Sequence, residues 1–304
     1  MYSYDGLIKL LKEKGISKSE LTEQLGISSR TIAKIGKREK IADKVIDKLC
    51  TFFDCTKEAI YIELSDNKIL QVLRDEKYAK LSGGLYHETQ VRLTYNSNRI
   101  EGSKLTEEQT RMIFETNTIG AEVGVPVDDI IEMVNHFRAV DYVIDIAEKA
   151  LTENIIKELH RILKTGTKDS TLIYFNVGDY KARPNVVGGR ETTLPQNVSA
   201  EIKRLLSEYA AKKQITFADI IEFHYGFELI HPFQDGNGRV GRLIAFKECL
   251  KNYIVPFIVE ENKKLYYYRG LNEWRNERGY LIDTCLDGQD NYKALVKYFG
   301  IDEA

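Results

Sequence analysis

The sequence predicts a mostly α-helical fold in two units with one short β-hairpin, and three observations support this prediction. Apolar residues recur at helical spacing through most of the chain. The first 62 residues form a small unit with a net positive charge, whereas the chain as a whole is slightly acidic. The stretch VGDYKARPNVVGGRETTLP interrupts the helical pattern and has two glycines between short segments, which is typical of a hairpin.

The composition is that of an ordinary soluble globular protein. The 304 residues are 43% hydrophobic and 30% charged, with a formal net charge of -2. This balance gives no bulk argument for binding nucleic acid or an anionic membrane. No apolar run reaches the roughly 18 residues that a membrane-spanning helix needs. The N-terminus lacks the order of basic, apolar and small residues found in signal peptides, so we expect a cytoplasmic protein without membrane partners.

The N-terminal unit, residues 1–62, contains two short helices joined by a tight turn. Ser17 or Ser19 can cap the first helix, which ends at Gly26, and Ser28 can cap the second. The first 60 residues carry 12 Lys and Arg against 9 Asp and Glu, a net charge of +3. Two short helices around a glycine-containing turn predict a helix-turn-helix.

This segment resembles the Cro/repressor-type helix-turn-helix family. The resemblance implies that the stretch from Ser29 to Lys37 is a recognition helix. Arg30, Thr31 and Lys34 would then contact bases or phosphates of DNA. The alternative is a small helical module that binds protein or only packs on its neighbour.

From residue 68 the periodicity predicts a run of amphipathic helices. The sequence Thr106-Glu107-Glu108-Gln109 has the form of a capping box, and Asp128 is placed to cap a long helix. The predicted helices are Asn67–Ser82, Tyr86–Ser97, Thr106–Glu115, Asp128–Ala150, Thr152–Leu163, Pro195–Lys213, Phe217–Ile230, Gly238–Asn252, Lys264–Arg278 and Asn291–Phe299.

The segment HPFQDGNGRVGR, residues 231–242, lies between two predicted helices. Gly236, Asn237 and Gly238 let the backbone turn its N–H groups toward one point. Together with the start of the following helix, these N–H groups form a ready anion site.

Four side chains of this segment add chemistry to the anion site. Arg239 and Arg242 lie three residues apart on one helical face, and their forked guanidinium groups suit phosphate oxygens. Asp235 is a hard oxygen ligand of the kind that Mg²⁺ prefers. His231 has an ordinary pKa of about 6.5, which suits proton abstraction near neutrality. The segment therefore offers a base, a metal ligand and a phosphate cradle.

In this order the parts resemble the Fic motif, HPFx(D/E)GNGRxxR, at every fixed position. The resemblance covers most of residues 68–304 and implies a Fic-type helical core that transfers AMP from ATP to a Tyr, Ser or Thr hydroxyl of a protein. His231 would accept the hydroxyl proton, and Asp235 would hold Mg²⁺ or Mn²⁺. The implied phosphate-binding residues are Gly236, Asn237, Gly238, Arg239 and Arg242. The target protein is unknown, and self-modification is one possibility.

Two other stretches extend the resemblance. The predicted hairpin looks like the Fic flap, whose edge can pair with an extended target peptide by backbone hydrogen bonds. The flap residues are Val186, Val187, Gly188 and Gly189. The stretch KLYYYRGLNEW resembles the lining of the adenine pocket, so that Tyr267 or Tyr268 packs on the base; the alternative for these tyrosines is ordinary core packing.

An upstream motif implies inhibition. The stretch SNRIEGS places Ser97, Glu101 and Gly102 in the Fic inhibitory pattern (S/T)xxxE(G/N). In that family the glutamate reaches the second arginine of the motif, which is Arg242 here. Such a contact would occupy the guanidinium fork needed for the γ-phosphate, leaving ATP misaligned for in-line attack.

Several alternatives remain open from the sequence. A bifunctional or AMP-removing enzyme would use Glu101 to orient water, with His231 as an acid. Transfer of another phosphate-containing group is a related possibility. A DNA-binding regulator could use the Fic domain only to sense nucleotide. A metal phosphohydrolase would need His224, His231 and Asp235 together.

Overall fold

The computed structural model describes residues 2–37, 39–63, 67–120 and 124–301. The chain separates into an N-terminal unit, Met1–Asp66, and a second unit, Asn67–Ala304. Helices account for most of both units, so the predicted mostly α-helical fold with a hairpin and a small N-terminal helix-turn-helix unit is confirmed.

The N-terminal unit is built from short capped helices. The backbone N–H of Glu20 donates to the Ser17 hydroxyl in a full capping box, and Ser28 caps the next helix through the N–H of Thr31. Gly26 has a φ of 61°, the left-handed conformation expected at the end of the first of these helices. The helices are α1 Asp5–Lys14, α2 Lys18–Leu25, α3 Ser29–Gly36, α4 Asp43–Phe53 and α5 Lys57–Ile60.

Two short strands in this unit were not predicted. Strand β1, Tyr2–Ser3, pairs antiparallel with β2, Ile62–Glu63. Each strand has only two residues, which is too short to show the alternating pattern by which strands are found in a sequence. The core of the unit includes fully buried aliphatic side chains, among them Leu7, Leu49 and Ile60.

The second unit is a bundle of helices with one hairpin. Most predicted helices are present with ends shifted by a few residues, and the capping box at Thr106 and Gln109 is formed. The helices are α6 Lys68–Ala79, α7 Leu85–Ile100, α8 Glu107–Thr116, α9 Val127–Ile146, α10 Glu153–Lys164, α11 Pro195–Ala210, α12 Phe217–Ile230, α13 Asn237–Lys251, α14 Lys264–Glu273 and α15 Gly279–Tyr298. Short 3-10 turns occupy Lys168–Thr171 and Glu261–Lys263.

Three predicted helix boundaries in this unit were wrong. Helix α14 ends at Glu273 rather than Arg278, and α15 begins at Gly279, twelve residues before the predicted Asn291. Asp128 does not cap α9, because Pro126 holds the cap position and the Asp128 carboxylate instead accepts the backbone N–H of Lys168.

Helix α13 is central to the second unit. Its side chains are buried along nearly its whole length, and it packs against α7, α9, α10 and α12. A helix surrounded in this way has no solvent-facing stripe, which explains its weak amphipathic pattern. Side chains from several neighbouring helices therefore reach its N-terminus, where the conspicuous sequence motif lies.

The predicted hairpin is present. Strand β3, Val186–Val187, pairs antiparallel with β4, Arg190–Glu191. Gly188 and Gly189 have φ values of 57° and 77°, and two left-handed residues in succession make the tight turn that suits a two-residue hairpin. In the part of the chain that the structure describes, no helix is both long enough and apolar enough to span a membrane.

Candidate active site

His231 stands at the junction between α12 and the loop before α13. It is the C-cap residue of α12, with a left-handed φ of 52°, and its backbone N–H donates to the Phe227 carbonyl. A non-glycine residue in this conformation is uncommon and is held by its surroundings. This left-handed residue ends α12 and turns the chain into the loop that leads to α13.

Burial and a nearby cation change the protonation of His231. Burial of the imidazole, followed by the positive charge of Lys181, lowers the pKa of His231 to about 4. The imidazole is therefore neutral at physiological pH and is in the form that accepts a proton.

The loop itself is fixed by its own side chains. The Phe233 ring is fully buried and stacks on the His160 ring at a centroid distance of 4.0 Å. The Asn237 amide accepts the Phe233 N–H at 2.8 Å and donates to the Phe233 carbonyl at 2.9 Å. Gly236 has a φ of 81°, which favours glycine at the start of α13.

Asn237 was predicted to hold phosphate oxygens. In the structure its buried side-chain amide braces the loop through the Phe233 backbone. Its backbone N–H lies at the start of helix α13.

Asp235 and Arg239 are in contact at the N-terminus of α13. Arg239 Nη2 donates to Asp235 Oδ2 at 3.3 Å, and Lys164 Nζ reaches the same oxygen at 2.7 Å. Burial alone would raise the pKa of Asp235, but the charges of Arg239 and Lys164 outweigh it and hold this pKa well below its usual range. About half of the Asp235 side chain (49%) is exposed, so an ionised carboxylate faces solvent beside the loop.

The predicted contact between Glu101 and Arg242 is present. Arg242 Nη2 donates to Glu101 Oε1 at 2.6 Å and to the Ser97 carbonyl at 2.9 Å, while Nε donates to the Ser97 hydroxyl at 3.0 Å. Glu101 follows the last residue of α7, and Gly102 after it has a φ of 104°. Burial lowers the pKa of Arg242, but Glu101, Tyr267 and Glu228 together outweigh this effect and raise the pKa above its ordinary value.

The Glu101 carboxylate also covers the first turn of α13. A Cβ atom placed on Gly238 would lie 2.2 Å from Glu101 Oε1. The glutamate thus sits where the helix N-terminus would otherwise receive an anion. Only a glycine at position 238 leaves room for this approach.

The hairpin is tied to the same loop. The N–H of Lys181 donates to the Pro232 carbonyl at 2.9 Å, and the Asn185 amide donates to the Phe233 carbonyl at 3.3 Å. At the tip, Val186 is 63% exposed, so the hairpin presents free apolar side chains rather than core residues. The flap position predicted from the sequence therefore lies beside the His231 loop.

The two predicted adenine-pocket tyrosines differ in their surroundings. Tyr267 is buried in a core cluster with Trp274, and its hydroxyl lies 2.6 Å from His224 Nε2. Core packing, the alternative given above, therefore applies to Tyr267, whose ring has no open face for a base. Tyr268 is half-buried, donates to the Ile100 carbonyl at 3.2 Å and remains a candidate.

His224 does not join His231 and Asp235. It is buried on α12, and burial lowers its pKa to about 3. Within the described residues, no three histidine, cysteine, aspartate or glutamate side chains are gathered as metal ligands. The three-ligand arrangement that a metal phosphohydrolase would need is therefore not formed by these side chains.

The predicted DNA-contacting residues lie on α3 of the N-terminal unit. Arg30 is exposed, but Thr31 and Lys34 are half-buried. The Thr31 hydroxyl lies 3.0 Å from that of Ser28, within the helix cap. Arg30 is therefore the most accessible of the three side chains.

Sequence reasoning missed three charged residues of the site: Glu132 on α9, Lys164 at the end of α10 and Lys181 before the hairpin. Lys164 and Lys181 are almost fully buried. In the sequence each looks like an ordinary surface charge, and only the packing of α9 and α10 against α13 brings the first two to the loop.

Comparisons with known proteins agree with this geometry. The Fic/DOC family matches residues 150–248, and the Cro/C1-type HTH DNA-binding domain matches residues 7–61. Curated relatives that carry the name protein adenylyltransferase Fic include one from Drosophila willistoni and one from Nematostella vectensis. The one from Drosophila willistoni is 30% identical over 184 residues, covering 58% of this chain and 35% of the relative. The one from Nematostella vectensis is 27% identical over 190 residues, covering 59% of this chain and 42% of the relative. The chain thus spans less than half the length of these relatives.

Solved structures with the same fold include a Fic domain containing signaling protein from Bacteroides thetaiotaomicron. It has a TM-score of 0.58 and 27% identity, with 76% of this chain and 88% of that chain covered. Fic-1 from C. elegans has a TM-score of 0.60 at 20% identity, with 77% of this chain and 72% of that chain covered. At 20% identity, the likeness to Fic-1 concerns the fold alone.

Proposed function

Because the chain contains a Fic/DOC family domain behind a Cro/C1-type helix-turn-helix domain, we propose that it is a protein adenylyltransferase held inactive by Glu101. It would transfer AMP from ATP to a Tyr, Ser or Thr hydroxyl of a protein. The observation that carries the proposal is the arrangement around α13, where a neutral imidazole, a glycine-bounded helix N-terminus and two buried arginines meet.

The phosphates would bind at the N-terminus of α13. The backbone N–H groups from Gly236 to Gly238 and the guanidinium groups of Arg239 and Arg242 provide concentrated positive charge there. Charge that builds on the leaving pyrophosphate is stabilised by donors already held in place. Both arginines are almost fully buried, so their interaction with phosphate would be weakly screened by water.

His231 would remove the proton from the target hydroxyl as it attacks the α-phosphorus. Its imidazole is neutral, and its position is set by the α12 terminus and by the loop bracing at Phe233. The flap beside this loop would hold the target segment in an extended form, which requires little of its sequence.

A divalent ion fits the chemistry of the loop. Asp235 presents an ionised, half-exposed oxygen ligand, and the ion's other ligands would come from the nucleotide and water. When bound, Mg²⁺ or Mn²⁺ would neutralise phosphate charge and fix phosphate geometry.

Inhibition would follow from the position of Glu101. Its carboxylate takes the Arg242 fork and covers Gly238, so a triphosphate bound beside it lacks its partner for the γ-phosphate. Activation would require Glu101 to leave this position.

The N-terminal unit would bind DNA through α3. Its family match and the exposed Arg30 at the start of that helix support this proposal. The protein's partners would then be ATP, a target protein and DNA.

Mass spectrometry tests the proposed reaction. Purified protein, wild type and Glu101→Gly, is incubated with ATP and Mg²⁺ and then with a host lysate. A mass increase of one AMP group on a protein hydroxyl supports the proposal. Release of phosphate without an adduct would instead indicate hydrolysis, and loss of AMP from a modified protein would indicate the reverse activity.

A further inference from the structure

A closed ring of four charges lies beside the loop. Lys164 Nζ donates to Asp235 Oδ2 at 2.7 Å and to Glu132 Oε1. Arg239 donates to both of the same carboxylates, through Nη1 to Glu132 Oε2 and through Nη2 to Asp235 Oδ2. Each charge in the ring therefore contacts two charges of the opposite sign.

Lys164 occupies an unusual position in this ring. Only 2% of its side chain is exposed, and its ammonium lies between two carboxylates that come from different parts of the fold. A third carboxylate, that of Asp169, has an oxygen 3.9 Å away. Carboxylate oxygens are the ligands that a hard divalent cation prefers, and the Lys164 ammonium lies next to the proposed metal ligand Asp235.

We propose that Lys164 is a built-in cation that takes the position between Glu132 and Asp235 while no nucleotide is bound, so that a divalent ion binds this loop only together with ATP. The proposal rests on the proposed function only for the assignment of Asp235 as a metal ligand. An ammonium 2.7 Å from Asp235 Oδ2 repels a second cation approaching the same carboxylate. The triphosphate would overcome this repulsion by adding its own negative charge and oxygen ligands.

This arrangement has a measurable consequence in the protein without nucleotide. Lys164→Met removes the charge with a side chain of similar length and leaves two carboxylates facing a single guanidinium. Binding of Mn²⁺, followed by electron paramagnetic resonance, should become at least about tenfold tighter than in wild type. Adding Glu132→Gln to Lys164→Met should abolish the gain, because one of the two freed carboxylates is lost.

Lys212→Met is the matched control. Lys212 Nζ also bridges two carboxylates, Asp219 at 2.5 Å and Glu222 at 2.9 Å, but away from the loop and in a more exposed setting. The substitution makes the same change in net charge, and Mn²⁺ affinity should stay within about twofold of wild type. Equal affinities for Lys164→Met and Lys212→Met, with both proteins folded by circular dichroism, would overturn the proposal.

A second measurement does not depend on the folding of a Lys164 variant. Without nucleotide, wild type and Asp235→Asn should bind Mn²⁺ equally weakly, because Lys164 already occupies the Asp235 carboxylate. With a non-hydrolysable ATP analogue, wild type should bind Mn²⁺ more tightly than Asp235→Asn. A clear loss of nucleotide-free affinity in Asp235→Asn would show that the carboxylate is open to metal and would refute the role of Lys164. Neither experiment measures AMP transfer. A failure of the proposed adenylyltransferase activity would therefore be distinguished from a failure of the role proposed for Lys164.

Discussion

The Glu101 carboxylate accepts a hydrogen bond from Arg242 Nη2 at 2.6 Å, with only 4% of the arginine side chain exposed. The same carboxylate lies against Gly238 in the first turn of α13. One side chain thus neutralises a candidate phosphate-binding arginine and covers the adjacent helix N-terminus. A single substitution at Glu101 should expose both.

Glu101→Gly should therefore raise the rate of AMP transfer and of self-modification. Each tenfold of activation corresponds to about 1.4 kcal/mol of inhibition removed. Arg242→Ala should lower the rate, because it removes the inhibitory contact and the phosphate contact together. The measurement is labelled AMP incorporation by both variants and the double variant. A folded Glu101→Gly protein with an unchanged or lower rate would exclude an inhibitory role for Glu101.

The lowered pKa of His231 predicts an unusual pH profile. At a pKa of about 4 the imidazole stays neutral well below pH 7. Glu101 raises this pKa, so Glu101→Gly should lower it further. The kcat/KM of that variant, at excess Mg²⁺, should change little from about pH 7.5 to about pH 5.5, whereas an unperturbed imidazole would lose roughly tenfold over that range. A tenfold fall centred near the ordinary histidine pKa would contradict the assigned environment.

Local sequence signals predicted much of the fold. Helix α12 has its predicted bounds, the capping box at Thr106 is formed, and Gly188 and Gly189 make the predicted hairpin turn. Each of these features depends on residues close together in the chain, so the local sequence pattern was enough to predict it.

The errors arose where distant contacts decide the structure. Helix α15 begins twelve residues before the predicted Asn291 and runs through Gly288, where a Cβ would lie 2.4 Å from the Ile258 carbonyl, so the glycine serves close packing within the helix. Contacts between distant parts of the chain also explain which residues of the site were not predicted. The 231–242 loop could be predicted because its functional residues lie close together in the sequence. Glu132 and Lys164 are distant in the sequence and reach the loop only through the packing of α9 and α10.

Asp235→Ala should weaken productive binding of Mg²⁺ with ATP, because it removes the ionised oxygen ligand of the loop. In Glu101→Gly, EDTA should abolish AMP transfer, and added Mg²⁺ or Mn²⁺ should restore it. A titration of Mg²⁺ at fixed ATP should show a higher half-saturating concentration for the Asp235→Ala variant. Transfer that persists undiminished in EDTA would rule out the metal role of Asp235.

DNA binding by the N-terminal unit is tested by Arg30→Ala combined with Lys34→Ala. These changes should weaken binding to genomic duplex fragments and flatten its dependence on salt, because fewer phosphate contacts release fewer counterions. Lys9→Ala with Lys12→Ala, on α1, makes the same change in charge and serves as the control. Absence of any duplex binding by wild type at low salt would favour a protein-docking role for this unit.

The role of His231 as the general base of AMP transfer is tested by comparing Glu101→Gly with the double variant Glu101→Gly/His231→Ala. Labelled AMP incorporation is measured alongside ATP binding. Loss of the imidazole should reduce transfer by about 10²–10⁴-fold while ATP binding is retained, because the side chain acts on the target hydroxyl and holds no phosphate. Incorporation by the double variant at the rate of Glu101→Gly would show that His231 is not the general base.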